Sequence, residues 1–336
     1  MHRRGLSLIL LSCAVWLCGL AAGACQPADP VHRFPLARDY RPDAGVEFRI
    51  VSIISDGVRL HGEEFWPRVE DGHKLPTIVM ANGWGGVAAA LRPDANGLAR
   101  AGYLVILFDY RGWGESDARV VLTSPEPAGG GSFQATVQPL RGYVDPFEQV
   151  EDWFNVIDWA AGEPMADMTR LGLRGTSFSG GEVVYVASRD PRVKAIVSQV
   201  PGIAARPGPD ADRDTPFARA ARDRATRMAR GEQGYPQPYA QVLGSLTGAP
   251  VGDKLLRWWP NEESSYVTAA ALFIVAENDE LVRNQDSGEL AFRRAAGPKK
   301  LVVIPGIRHY GIYGVARQQA LRLAIDWFDR YLKPAQ

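Results

Sequence analysis

The chain has 336 residues, 46% hydrophobic and 23% charged, with 38 lysines and arginines against 38 aspartates and glutamates. That is ordinary globular composition, long enough to bury a large core without staples. Zero formal net charge argues against a protein that works by neutralising nucleic-acid phosphates. Three cysteines exclude a disulfide scaffold, and beyond the N-terminus no apolar run reaches the roughly 18 residues of a membrane-spanning helix.

Residues 1–24 have the order of a secretory signal. His2, Arg3 and Arg4 precede an apolar run from Leu6 to Leu20, and Ala22 and Ala24 occupy the A-x-A places before Cys25. All three cysteines, Cys13, Cys18 and Cys25, fall in this stretch. The segment also resembles a bacterial lipoprotein signal, with Ala22 where leucine is preferred, which makes Cys25 the lipidation candidate. The expectation is an exported protein, secreted or held as a periplasmic or outer-membrane lipoprotein. Residues 25–45, with Pro27, Pro30, Pro35 and Pro42, read as a tether or irregular arm.

From Val46 the pattern turns regular. Val46 to Ile53 and Val58 to Trp66 flank Asp56-Gly57 and read as a hairpin. Thr77 to Ala81 is a short apolar run, Leu91 to Gly102 has helical spacing with a glycine C-cap, and Leu104 to Asp109 suits a strand buried on both faces. A helix is predicted over Asp145 to Ala161, from Phe147, Val150, Phe154, Ile157 and Ala161 on one face. Strand-like Arg170 to Gly175 leads to a helix from Gly180 to Arg189. Val193 to Val200, Ala270 to Ala276 and Leu301 to Ile304 are further buried strands, and Val315 to Leu332 is a closing helix. Two stretches break the rhythm. Leu122 to Arg141 reads as a long loop, its Gly129 to Gly131 run lacking the lysine of a phosphate loop. Residues 203–266 read as an inserted cap between core segments 46–202 and 267–336, because 60-odd residues are too many for a simple connection. The cap arginines Arg219, Arg222, Arg224, Arg227 and Arg230 read as a solvated helix face. A hairpin followed by β-α units predicts an α/β protein, a mostly parallel sheet with helices on both faces. Reactive groups in such sheets sit just beyond the carboxyl ends of the strands.

Leu171-Gly-Leu-Arg-Gly175-Thr-Ser177-Phe-Ser179-Gly180-Gly181 places Ser177 between a strand and a helix among small residues, as a nucleophile elbow requires. The N–H of Phe178 can then donate to an oxygen that becomes negative during acyl transfer. Ser179 stands where the motif's last glycine would be and is the rival nucleophile.

With these residues placed, the chain resembles an α/β-hydrolase from about residue 46 to 333 outside the cap. Asn82-Gly83-Trp84-Gly85-Gly86 resembles that superfamily's H-G-x-G loop, with Asn82 replacing the histidine. Asp109-Tyr110-Arg111-Gly112-Trp113-Gly114-Glu115-Ser116 resembles its D-x-R-G-x-G-x-S segment. The nearest branches are the dienelactone-hydrolase-like and X-prolyl-peptidase-like ones, and a polyketide-transferase-like set shares the G-T-S-F-S-G-G elbow. The resemblance implies an eight-stranded sheet with an inserted helical cap. It also implies the chain order serine, acid, histidine.

Of five histidines (His2, His32, His61, His73 and His309) only His309 follows Ser177. Asp279, three residues past a strand, matches the family's acid, with Glu277 and Glu280 as rivals. Alignment of the Asn82 loop gives the Trp84 N–H as second oxyanion donor, with Gly83 nearby. Trp84, Phe178, Trp258 and Trp259 are candidate pocket aromatics, and Asp109 and Arg111 read as structural ties between loops. No metal-ligand motif is present, so no metal or cofactor is expected. The resulting expectation is an exported serine hydrolase acting on a small ester, with thioester or amide as variants. The alternatives are an acyltransferase of the polyketide-transferase-like type and a non-catalytic binding protein on a hydrolase fold.

Overall fold

The computed structural model describes residues 34–68, 73–208, 213–235 and 246–333. The expected signal segment, Cys25 and the first half of the expected arm lie outside the described residues.

In chain order the elements are β1 (Val46–Ser55), β2 (Val58–Pro67), β3 (Leu75–Ala81), α1 (Arg92–Arg100), β4 (Leu104–Phe108), β5 (Val120–Leu122), β6 (Val137–Pro139), β7 (Tyr143–Val144), α2 (Pro146–Ala161), β8 (Ala166–Thr176), α3 (Phe178–Ala187), β9 (Val193–Gln199), α4 (Pro216–Ala229), β10 (Ala249–Pro250), α5 (Gly252–Leu255), α6 (Pro260–Glu263), β11 (Ala270–Ala276), α7 (Gly288–Arg294), β12 (Lys299–Ile304) and α8 (Arg317–Leu332). Eight strands form one sheet in the order β1-β2-β4-β3-β8-β9-β11-β12. The β1–β2 and β2–β4 pairs are antiparallel, and every later pair is parallel.

The near-continuous apolar strands β3, β4, β9 and β11 predicted the middle of this sheet, where both faces are covered. Leu301 to Ile304, read as a further buried strand, lies instead in the edge strand β12, where only Ile304 is buried. Successive residues feed opposite cores. Ile78, Met80, Val105 and Leu107 pack with Leu98, Ala324 and Phe328 of α1 and α8, whereas Val79, Ala81, Ile106 and Phe108 pack with Val150, Trp153 and Val183 of α2 and α3. Local sequence sets the helix starts. Asp145 accepts from the Phe147 and Glu148 N–H groups ahead of Pro146, and Thr215 accepts from Ala218 ahead of Pro216. Gly102 closes α1 with φ +94°.

The stretch read as a long loop from Leu122 to Arg141 instead joins two short strands, since Val120 to Leu122 pairs with Val137 to Pro139 in an antiparallel ribbon. Three-residue strands with exposed faces carry too little apolar alternation to register in the sequence. The described part of the arm is packed rather than free. Tyr40 stacks edge-on against Phe48 and Phe65, and the Ala37 N–H donates to Glu115. Between residues 203 and 266, α4 buries only Ala218 and Ala221, and β10 pairs with β7. Of its arginines, Arg219 and Arg222 pair with Asp214, and Arg227 pairs with Asp223. No described helix is long and apolar enough to cross a membrane.

Candidate active site

Four loops meet at the carboxyl edge of the parallel strands, following β3, β8, β11 and β12. The turn after β8 is the most constrained. Ser177 has φ +57° and ψ −121°, a conformation that costs a non-glycine residue about 1–3 kcal/mol. Three backbone bonds hold it there: Ser177 N–H donates to Gln199 O, and Ser177 O accepts from Gly180 and Gly202. Small neighbours are obligatory. A Cβ on Gly175 would lie 2.1 Å from the Ser179 carbonyl oxygen. Ser179 fits the last motif position because its hydroxyl folds back into the turn. It accepts from the Thr176 N–H at 2.7 Å, lies within bonding distance of the Ala81 and Thr176 carbonyls, and is fully buried. That hydroxyl is therefore committed to backbone, whereas the Ser177 hydroxyl lines a pocket.

His309 follows β12 and is 1% exposed. Its Nε2 lies 3.0 Å from Ser177 Oγ and its Nδ1 lies 2.8 Å from Asp279 Oδ2. Asp279 is fixed in turn, its Oδ1 accepting from the Leu281 and Val282 N–H groups at 3.0 and 2.9 Å. The rival acids do other work. Glu277 accepts from the Gly306 N–H, joining the two loops. Glu280 accepts from the His309 backbone N–H, and this bond holds its carboxyl below the usual range. Of the three acids, only Asp279 reaches the imidazole.

The loop after β3 closes over the elbow. Asn82, at the first position of the loop that resembles H-G-x-G, stabilises it locally, with Oδ1 accepting from Gly83 N–H and Nδ2 donating to Val87 O. Gly83 is pressed against the elbow so tightly that a Cβ there would lie 2.6 Å from Thr176 O and 3.0 Å from Phe178 N. Neither the Trp84 nor the Phe178 N–H is used in a turn or loop backbone bond among the described residues. Phe178 opens α3, whose first N–H groups have no partner within the helix. The Trp84 indole stands edge-on to Phe178 at 5.5 Å and donates to Thr247 O at 3.1 Å, fastening the 246–247 segment above the loop.

The Ser177 hydroxyl and His309 open into a pocket of about 480 Å³. Its walls correct the expected aromatic set. Trp84 lines it, but Trp258 is buried against Phe147 and Tyr185, and Trp259 packs under Arg206. Phe178 backs Trp84 rather than facing the pocket. The walls missed in the sequence are Phe34, Val87, Ala90, Leu246, Thr247, Tyr310, Tyr313 and Arg317. Only Tyr310 and Tyr313 carried a local signal, following the candidate histidine by one and four residues.

Buried carboxyls brace the site from beneath. Asp109 accepts from the Ala88 and Glu115 N–H groups, tying the β3 and β4 loops, and burial pushes it up to about 6. Arg111 clasps Asp152 and Ser55, so both residues of the β4 segment serve as loop ties. Glu182 of α3, reached by Tyr110 and Trp153, is pushed up by burial to about 8. Among the described residues one cluster has metal-ligand spacing, His61 with Glu63 and Glu115. Arg92 already fills the cation's place there, donating to both Glu63 oxygens at 2.8 and 2.6 Å.

Residues 56–208 match the family described as X-Pro dipeptidyl-peptidase (S15 family). An uncharacterized 31.7 kDa protein of Escherichia coli, from the traX-finO intergenic region, is 27% identical over 292 residues, covering 79% of this chain and 94% of that one. The thiohydrolase aneE of Aspergillus aculeatus is 24% identical over 304 residues, covering 80% and 86%. The crystal structure of the α/β-hydrolase GrgF from a Penicillium species superposes with a TM-score of 0.64 at 21% identity, over 85% of this chain and 99% of that one. The fold is that of the α/β-hydrolases.

Proposed function

We propose that this protein of α/β-hydrolase fold is an exported serine hydrolase that cleaves a carboxylic ester through an acyl-enzyme. The observation that carries the reading is the unbroken line from Ser177 Oγ through the His309 ring to Asp279, opening at its serine end into the pocket. A hydroxyl is a poor nucleophile until a base removes its proton, and His309 Nε2 is within reach to do so. Asp279 holds the proton on Nδ1, leaving Nε2 free to accept, and stabilises the imidazolium. As Oγ attacks the carbonyl carbon, negative charge moves onto the carbonyl oxygen, where the Phe178 and Trp84 N–H groups would receive it. His309 then returns the proton to the departing alcohol. Water, deprotonated by the same nitrogen, attacks the acyl carbon, and Ser177 leaves with the proton restored.

Ser177→Ala should leave a folded protein with esterase activity at background level, and full retained activity would overturn the assignment. A second reading passes the acyl group to an acceptor other than water, or takes it from a thioester. It draws on the similarity to a protein named thiohydrolase and to one named polyketide transferase, the latter 24% identical over 318 residues. Product analysis with water and added alcohols, amines or thiols in competition separates the two. The export reading rests on residues 1–24 and Cys25. Labelled fatty acid incorporated into the wild type and not into Cys25→Ala supports lipid attachment.

A further inference from the structure

The pocket carries an unbalanced charge on one wall. Among the described residues that line it there is no aspartate or glutamate, and Arg317 is the one arginine or lysine. Its guanidinium is partly open, at 22% side-chain exposure, and is oriented by two bonds to Asp94 and one to Ala90 O. Asp94 does not neutralise it alone, because a second guanidinium shares the same carboxylate. Arg174 of β8 is 2% exposed, and its Nη1 lies 3.6 Å from Asp94 Oδ2. Arg174 Nε and Nη1 have no hydrogen-bond partner, and only Nη2 reaches an acceptor, Gln199 Oε1. Two buried or half-buried cations with one anion leave about one positive charge uncompensated in a region of low dielectric, where it is costly unless an anion completes it.

The charge sits beside the chemistry. Tyr313 lines the pocket over this group, its hydroxyl 2.7 Å from Thr176 Oγ1, one residue before Ser177. Gln199 links Thr176 back to Arg174. Arg317 is also the first residue of α8, a 16-residue helix with no side-chain cap and no acid in its first turn. The positive end of that helix adds to the same field. A guanidinium held on one edge by a carboxylate keeps its remaining N–H groups for a planar oxyanion.

Building on the hydrolase reading, we propose that the substrate is an ester bearing a carboxylate, and that Arg317 is the specificity-determining residue that receives it. Tyr310 and Tyr313 wall the chain between the carboxylate and the scissile carbonyl.

The test compares 4-nitrophenyl adipate, a monoanion, with neutral 4-nitrophenyl heptanoate, and reads the ratio of their kcat/KM values. The wild type should favour the anion by about tenfold or more, roughly what one charge-assisted hydrogen-bond pair contributes. Arg317→Gln should lower that ratio at least tenfold, and Arg317→Lys should restore part of it. A wild-type ratio at or below one, or a ratio that Arg317→Gln does not change, overturns the proposal. Free adipate binding, measured by calorimetry, is independent of turnover. Adipate bound by the wild type and lost in Arg317→Gln, with neither ester cleaved, retains the anion site and refutes the hydrolase reading. No adipate binding, with heptanoate cleaved, does the reverse.

Discussion

Gly83→Ala tests whether the loop after β3 is part of the catalytic machinery. The added methyl would sit 2.6 Å from Thr176 O, 2.7 Å from Ser177 Cβ and 3.0 Å from Phe178 N. Two of these three atoms are backbone of the elbow, and the elbow is held by the bonds to Gln199, Gly180 and Gly202. An ordinary contact begins near 3.4 Å, so the loop must retreat by about 0.8 Å. It carries the Trp84 N–H with it. Losing one oxyanion donor costs about 10²- to 10³-fold in kcat, about 3–4 kcal/mol, and a misplacement of about 1 Å has a similar effect. The overpacking should also cost about 1–3 kcal/mol of stability. The assay is kcat on a 4-nitrophenyl ester, with near-ultraviolet circular dichroism showing that the variant is folded. The expected result is a folded protein with kcat reduced at least a hundredfold and a smaller change in KM. A folded Gly83→Ala protein with more than a third of wild-type kcat would refute the reasoning.

Asp279→Asn should lower kcat about 10³- to 10⁴-fold, measured on the same ester. The Leu281 and Val282 N–H groups hold the side-chain oxygen, which turns the amide NH₂ toward His309 and forces the wrong tautomer. Ser179→Ala should keep its reactivity at Ser177 but lose about 1–3 kcal/mol in urea unfolding, because the buried Thr176 N–H loses its acceptor. Glu182 sets a pH dependence of stability. Burial raises it from 4.5 to about 8, so between those values the folded state holds a proton that the unfolded state has released. Stability therefore falls as pH rises through that window and levels off above about 8, a loss on the order of a few kcal/mol. Asp109 and Asp152, each raised to about 6, add to the slope only at its acid end. Glu182→Gln should flatten the decline between pH 6 and 8 in chemical denaturation, and an unchanged slope there would contradict the assignment.

The order of elements and the position of Ser177 were legible in the sequence for one physical reason. A strand buried on both faces shows as a short apolar run, and in a parallel sheet the residue just beyond such a run lies at the reactive edge. Ser177 and Asp279 follow strands of that kind, whereas His309 follows the half-exposed edge strand β12, and Asp279 and His309 were assigned through the serine-acid-histidine order that the resemblance implies. Oxyanion-loop placement followed equally from the Asn82 to Gly86 motif. The pocket walls did not, because they are assembled over long sequence separation: Phe34 comes from the arm, Leu246 and Thr247 from the inserted segment, Arg317 from the start of α8. Trp258 and Trp259 show the limit of reading aromatics by proximity to a motif. Trp258 fills the core beside α2 and α3, while Trp259 packs under Arg206. Arg317 was invisible for a related reason. Its meaning depends on Arg174 sharing Asp94, and these residues lie on β8, α1 and α8.

The most direct test of the central claim is the reaction of the purified protein with a fluorophosphonate, followed by mapping of the adduct in the peptide mass spectrum. An activated Ser177 reacts, and the account predicts a single adduct at Ser177 that disappears in His309→Ala. An adduct at Ser179, equal labelling in His309→Ala, or a folded protein that takes no label would contradict it.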